Sequence, residues 1–457
     1  MASTLPAEIL YQVLDGVDYF SDKVKLLGVC RHWNAVLCSR VYSRIELWGD
    51  ALLIPLATTL LKNPRLRPLI NELHLMNSYG HESLESGFYD PGIFREFIKH
   101  FIDSDDEEGQ WEERLDVNDE YARISLILLL VPNLQYLNMR WANRRYDQTL
   151  VWIVDKMAAR SPEEGLPLHN LRKMSAKSED IHENFHVGRF IPFLKLPSLY
   201  TLHLADMHDD DSMQPRPGYF DQFLDLKLKA GTLEVRELSF RGSNFQHGLS
   251  ELLPACARLE SFEYQHCNQV KWGDAYRSFR CRAFQEGLLS QKDCLRVLRL
   301  NDVGDSKFLD EIDEEDEEFL QENRVLNEQA WFGSLAEFEV LQRLKIPVRN
   351  LLDSTDGKEP SMSLDEVLPP SLEILVLTKV DYIEYSMLEG QLKRLLACKA
   401  TRFPKLGKIL LQPFQLETIG REFEDGLCNC SVPERAKAVF ADVASSCQQQ
   451  GIEFGFM

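Results

Sequence analysis

From Ile70 onward the chain keeps returning to one apolar phrase: a hydrophobic residue, two others, a second hydrophobic residue, one other, and a third. Ile70-Leu73-Leu75, Leu134-Leu137-Met139, Leu199-Leu202-Leu204, Leu295-Leu298-Leu300 and Leu372-Leu375-Leu377 carry it clearly, with Leu341-Leu344-Ile346 and Leu406-Ile409-Leu411 close behind. Leu171-Met174-Ala176, Val235-Leu238-Phe240 and Leu259-Phe262-Tyr264 are weaker copies. The last two anchors of each copy alternate as one face of a short strand does, and the first closes the turn leading into it. Pro132-Asn133, Pro197-Ser198 and Pro370-Ser371 place turn formers just ahead. One such strand cannot bury its apolar face alone, so the pattern predicts ten short parallel strands stacked side by side. A compact α/β domain with unrelated short strands is the alternative.

Ahead of these copies the period changes. Leu5, Ile9 and Val13 recur every four residues, and Leu10 and Leu14 repeat the step beside them. This predicts a helix with one broad apolar stripe. Pro6 suits its first turn, Ser3 and Thr4 can cap it, and Glu8 sits near the positive end of its dipole. Gly16 and Asp18-Tyr19-Phe20-Ser21 break the pattern, and Ser21-Asp22 opens a second helical stretch with Val24, Leu26, Leu27, Cys30 and Trp33.

The gaps between copies hold helices at 91–101 and 119–130 and three acidic runs, Asp103–Glu108, Asp209–Asp211 and Asp310–Glu318. Runs of like charge repel and stay solvated, which predicts surface loops; a docking patch for a basic partner is the other reading. At the far end, 432–447 reads as a helix with Ala436, Val439, Phe440 and Val443 facing inward. Gly451 stops it, and Ile452, Phe454 and Phe456 alternate as a last strand. The expected organisation is a helical domain over 1–48, a repeat array over 49–430, and a capping helix and strand over 431–457.

Length and charge narrow the function. The 457 residues suffice for one large core or several, and 44% hydrophobic with 27% charged residues is ordinary for a globular protein. A formal charge of −21 disfavours nucleic-acid and anionic-membrane partners, which call for a basic face. The longest apolar run, near Leu126–Pro132, is too short to span a bilayer, and no basic-then-apolar leader opens the chain. Ten scattered cysteines, with Cys30, Cys256 and Cys294 in apolar or helical surroundings, suggest reduced thiols and a cytoplasmic or nuclear protein. No catalytic signature is present: no Gly-x-Ser-x-Gly, no phosphate-binding loop, no His-Glu-x-x-His. Cys428-Asn429-Cys430 lacks two further ligands at zinc spacing, and neither His266-Cys267 with Cys281 and Cys294 nor His182 with His186 makes a recognisable ligand set. No cofactor is expected, and nothing calls for a homo-oligomer.

Two stretches resemble known families. Leu5-Pro6-Ala7-Glu8-Ile9, Val13-Leu14 and, two dozen residues on, Val29-Cys30-Arg31-His32-Trp33 resemble an F-box over about a tenth of the chain. The middle departs from that pattern: Val17 to Val24 stands where many F-boxes carry Leu-x-x-x-Asp-Leu. A small helical cap whose stripe faces its own core is the competing reading. The apolar copies resemble a leucine-rich-repeat array, irregular because the first anchors lie 24 to 64 residues apart and because the usual Asn or Cys after the third anchor is mostly missing.

Together the resemblances imply an α/β protein: an N-terminal helical F-box, then an irregular leucine-rich-repeat solenoid with a parallel concave sheet. They imply a non-enzymatic substrate-recognition adaptor of a Skp–cullin–F-box ubiquitin ligase. Leu5, Pro6, Ile9, Leu10, Val13, Val29, Cys30 and Trp33 would meet the Skp adaptor. An unidentified protein substrate would lie on the concave face, where Tyr136, Arg140, Lys173, Arg241, Arg299, Arg343 and Lys345 fall between anchors. Their basic character suggests an acidic or phosphorylated peptide; a mixed polar face without a ligand is the other reading. Ile374, Val376 and Leu410 break the basic trend. A scaffold working outside a ligase, or an enzyme with an unrecognised site, would fit the same sequence.

Overall fold

The computed structural model describes residues 5–49, 52–76, 91–116, 119–141, 148–160, 166–178, 185–208, 228–245, 249–267, 279–302, 331–353, 359–413 and 434–457. It is an α/β structure of two compact units, one ending at Leu204 and one beginning at Ala205 and continuing from Leu228. The first unit carries β1 (Arg44–Trp48), β2 (Glu72–Met76), β3 (Tyr136–Trp141), β4 (Lys173–Ser178) and β5 (Thr201–Ala205). The second carries β6 (Glu237–Ser243), β7 (Ser261–His266), β8 (Val297–Asp302), β9 (Arg343–Pro347), β10 (Ile374–Val380), β11 (Lys408–Pro413) and β12 (Glu453–Phe456). Within each unit the strands are parallel and pair in chain order.

The ordering follows from the anchors. Every residue of the ten apolar copies is buried, and the copies stand in register: Leu73 beside Leu137 beside Met174 in one unit, and Phe262, Leu298, Leu344, Leu375 and Ile409 in the other. One backbone device recurs just before most of the strands. The carbonyl of Asn71 accepts from the N–H groups of both Gln135 and Tyr136; Gln135 does the same for Arg172 and Lys173, and Arg172 for Tyr200 and Thr201. In the second unit the series runs through Arg236, Glu260, Arg296, Gln342 and Glu373. The turn residues ahead of the strands act here as well. Asn133 Nδ2 donates to the Pro68 carbonyl (2.9 Å), Asn170 Nδ2 to Pro132 (3.0 Å) and Ser371 Oγ to Leu341 (2.8 Å). Each entry turn is thus tied to the one before it.

Four features differ from the sequence reading. First, Arg44–Trp48 is a strand paired with Glu72–Met76. The helical segment expected to end at residue 48 therefore runs into the sheet, with Ile45 and Leu47 buried. Second, the expected second helix is two helices, α2 (Phe20–Leu27) and α3 (Arg31–Ser43), because Cys30 is fully extended at φ −165° and ψ 169°. Pro6 precedes α1 (Ala7–Asp15) as its cap residue instead of lying in the first turn; Ser3 and Thr4 lie outside the described residues.

Third, Asp103–Glu108 is not a loop. Asp105, Asp106, Glu107 and Glu108 form the first turn of a helix, Asp105–Asp116. There the unpaired N–H groups and the helix dipole favour negative charge. Cations finish the neutralisation: Lys156 Nζ lies 2.8 Å from both Asp103 and Glu107, and Lys99 Nζ is 3.2 Å from Glu108. The bond from Lys156 holds the Asp103 carboxyl below the usual carboxylate range. Fourth, the terminal helix is broken at Phe440 into Glu434–Val439 and Ala441–Gln449; Ala436, Phe440, Val443 and Cys447 are buried. Gly451, at φ +69°, ends the second piece in the left-handed conformation glycine tolerates best. The acidic runs at 209–211 and 310–318 lie outside the described residues.

Candidate protein-interaction surfaces

The N-terminal helices form a module with a spent face and a spare face. Leu10 and Leu14, one turn apart on α1, are buried with Leu27, Trp33, Leu37 and Val41 from α2 and α3. Ile9 and Val13 lie on the adjoining row of the same helix and stay 41% and 38% exposed. The broad stripe read from the sequence is therefore divided lengthwise: one row packs inside, the other faces out. Pro6 is exposed, Leu5 and Cys30 are partly so, and Val29 is 50% exposed. His32 Nε2 hydrogen-bonds the Leu5 carbonyl at 3.0 Å, which ties the chain just ahead of α1 to the first turn of α3. Arg40 clasps the module from the other end, with Nη2 3.1 Å from both Asp15 carboxylate oxygens and its guanidinium 4.7 Å from the Tyr11 ring centroid.

Six of the eight expected adaptor-contact residues, Leu5, Pro6, Ile9, Val13, Val29 and Cys30, are thus at least partly accessible. Leu10 and Trp33 are not; at 0% and 8% exposure they are committed to the module's own packing. Periodicity cannot tell two adjoining apolar rows apart, because either suits burial against α3.

The seven expected substrate-face residues fall on the open side of the strands but divide between the units. Tyr136, Arg140 and Lys173 belong to the first. Lys173 is in register with Tyr136, and its Nζ lies 5.1 Å from the Tyr136 ring centroid. The same ring meets His74 edge-on at 5.2 Å. Arg44 lies 3.9 Å from both Glu46 and Glu72, so this face mixes both signs. Burial, reinforced by Arg44, lowers the His74 pKa, and Glu72 opposes the shift.

Arg241, Arg299, Arg343 and Lys345 belong to the second unit. Glu263 accepts from Arg241 Nε at 3.1 Å and lies 3.6 Å from Arg299 Nη1, so one carboxylate is shared by two of the expected cations. Arg343 and Lys345 have no ion-pair partner among the described residues. Beside them across the ladder stand the half-buried Ile374 and Val376, and beyond Val376 stands Leu410.

Buried side-chain amides were not visible in the sequence. Gln291 is 3% exposed; its Oε1 accepts from Leu259 N (3.0 Å) and its Nε2 donates to the carbonyls of Leu253 (3.0 Å) and Cys256 (2.9 Å). Gln391 likewise accepts from Leu364 N at 3.0 Å and donates to Glu359. Their neighbours Ser290, Lys292 and Asp293, and Glu389 and Gly390, are polar or small, so no local pattern marked either glutamine as buried. His266, once weighed as a metal ligand, is fully buried, with Nδ1 2.7 Å from the Tyr264 hydroxyl. Burial pushes the Cys256 thiol up to about 12 and the Cys447 thiol up to about 11, so both remain protonated. Among the described residues no group of three His, Cys, Asp or Glu is placed to hold a metal ion, and no helix is long and apolar enough to cross a membrane.

The sequence matches no protein-family model and no curated protein.

Proposed function

We propose that the chain is a non-catalytic substrate-recognition subunit of a Skp–cullin–F-box ubiquitin ligase. Leu5, Pro6, Ile9, Val13, Val29 and Cys30 dock the Skp adaptor, and a protein substrate is held on the open face of an irregular leucine-rich-repeat solenoid. One observation carries the reading: a three-helix module whose own core is complete leaves Ile9, Val13 and Val29 in water. Adjacent solvated aliphatics on a packed module have hydrophobic free energy to gain only from a partner. The chain then works by proximity, raising the effective concentration of substrate near the ubiquitin-charged enzyme. The paired hydrogen bond that recurs ahead of most strands supports the repeat reading, since equivalent residues of successive repeats do the same thing.

The test is capture of purified Skp adaptor, and of cullin through it, by the full chain. Ile9→Asp with Val29→Asp should abolish capture while hydrogen exchange of α1 and α3 stays close to wild type, because both positions are largely solvated. Undiminished capture by that variant would overturn the adaptor-docking reading. Recovery of adaptor without cullin would leave a scaffold outside a ligase.

A further inference from the structure

In the second unit the register sets charge and aliphatic surface side by side. One row across the open face runs Glu263, Arg299, Lys345, Val376, Leu410, Gly455 on six successive strands. The row before it places Arg343 beside Ile374. Three cations therefore sit on two adjacent strands. Among the described residues only Arg299 meets a carboxylate there, and it shares that carboxylate with Arg241. In a chain of formal charge −21, this is a local reversal of sign. The next two strands carry Ile374 and Val376, then Leu410, on the same face; Lys408, beside Ile374, is paired with Glu453 at 2.7 Å. Gly455 adds no side chain beside Leu410; a Cβ there would come to 3.4 Å from Leu410 Cδ2.

We infer that this face takes an extended acidic peptide that carries one Asp or Glu and, two residues later, one aliphatic side chain. The inference rests on the reading of the sheet as the substrate-holding part and names its ligand chemistry. The spacing follows from strand geometry. Neighbouring strands lie about 4.8 Å apart, so the step from Lys345 to midway between Val376 and Leu410 is about 7 Å. Two residues of extended chain span about 7 Å and point their side chains the same way. A peptide laid across the strands therefore puts its carboxylate among Arg299, Arg343 and Lys345 as its aliphatic residue reaches Val376 and Leu410. Ile374 lengthens the apolar half on the side of Arg343. Charge alone would accept any polyanion; the aliphatic neighbour makes the site selective.

The experiment uses the full chain and a fluorescein-labelled peptide, Gly-Ser-Asp-Gly-Leu-Ser-Gly, followed by anisotropy. Two relatives serve as controls, with Asn for Asp or Ser for Leu. Saturable binding is expected for the first peptide, weakened at least about tenfold in each relative and about tenfold by raising salt, since a charge-assisted contact and an apolar anchor are each lost. Arg343→Glu with Lys345→Glu should remove binding, and Leu410→Asn should weaken it about tenfold. If the reversal variant misfolds by circular dichroism, Arg343→Gln with Lys345→Gln replaces it. The inference is overturned if no peptide of the set saturates, if the Asn or Ser relative binds equally well, or if polyglutamate competes as strongly as the parent peptide. Adaptor capture by the same charge variants separates the two readings: it should be normal, and its loss in the Ile9 and Val29 variant bears only on the helical module.

Discussion

Replacing Trp33 should cost far more than replacing Ile9 or Val29, although all three belong to the same short motif. An indole side chain buries about 200 Å² when fully enclosed, and Trp33 is 8% exposed. At about 25 cal/mol per Å² this is close to 5 kcal/mol, and compactness of the unfolded chain trims it by roughly 10–40%. Trp33→Ala should therefore destabilise α1–α3 by about 3–4 kcal/mol, in line with other buried aromatic truncations. Ile9 and Val29 keep 41% and 50% of their surface in water, which leaves each alanine replacement near or below about 1 kcal/mol. The chain holds two compact units, so a single global unfolding curve is the wrong instrument. Native-state hydrogen exchange of peptides from α1 and α3, read by mass spectrometry, reports the local opening free energy directly. The expected acceleration is more than about 100-fold for Trp33→Ala and no more than about fivefold for either aliphatic, since about 1.4 kcal/mol is a factor of ten. Comparable acceleration in all three variants would mean that Ile9 and Val29 support the fold, and the spare-face argument would fail with them.

Gln291→Leu keeps the volume but strands the Leu259 N–H and the Cys256 carbonyl inside the second unit and takes one of two donors from the Leu253 carbonyl, at a cost of about 2–4 kcal/mol; its melting step should fall by at least about 4 °C, and a shift under about 1 °C would show that the three bonds contribute little. His74 has a depressed folded pKa, so the folded state refuses a proton that the unfolded chain accepts. Stability of the first unit should hold above about pH 6.5 and decline as the pH falls below it, with the slope reduced in His74→Gln; melting curves of both chains between about pH 5 and 8 check this, and parallel slopes would remove His74 as the cause.

The α/β class, the parallel strands and the identity of the inward-facing residues were legible because they depend on local periodicity. An alternating pair such as Leu298 and Leu300 has one face to bury whichever neighbour supplies the cover. The same logic reached β12, through Phe454 and Phe456, and the buried residues Ala436 and Phe440. It missed β1, whose inward apolar residues are only Ile45 and Leu47 directly after a helix, too little to stand out from that helix's own end. What sequence could not decide was which of two equivalent uses a residue is put to. Leu10 packs inside and Ile9 does not because α3 approaches one row of α1, and that approach is fixed by contacts more than twenty residues away, such as Arg40 on Asp15 and His32 on Leu5. The acids at 105–108 became a helix start because Lys99 and Lys156 lie close enough to neutralise them. Arg241 and Arg299 share the Glu263 carboxylate through the register of three adjacent strands. Periodicity, set within a few residues, assigned the faces; pairing between distant residues, set by which strands and helices meet, decided which faces were spent and which were left open.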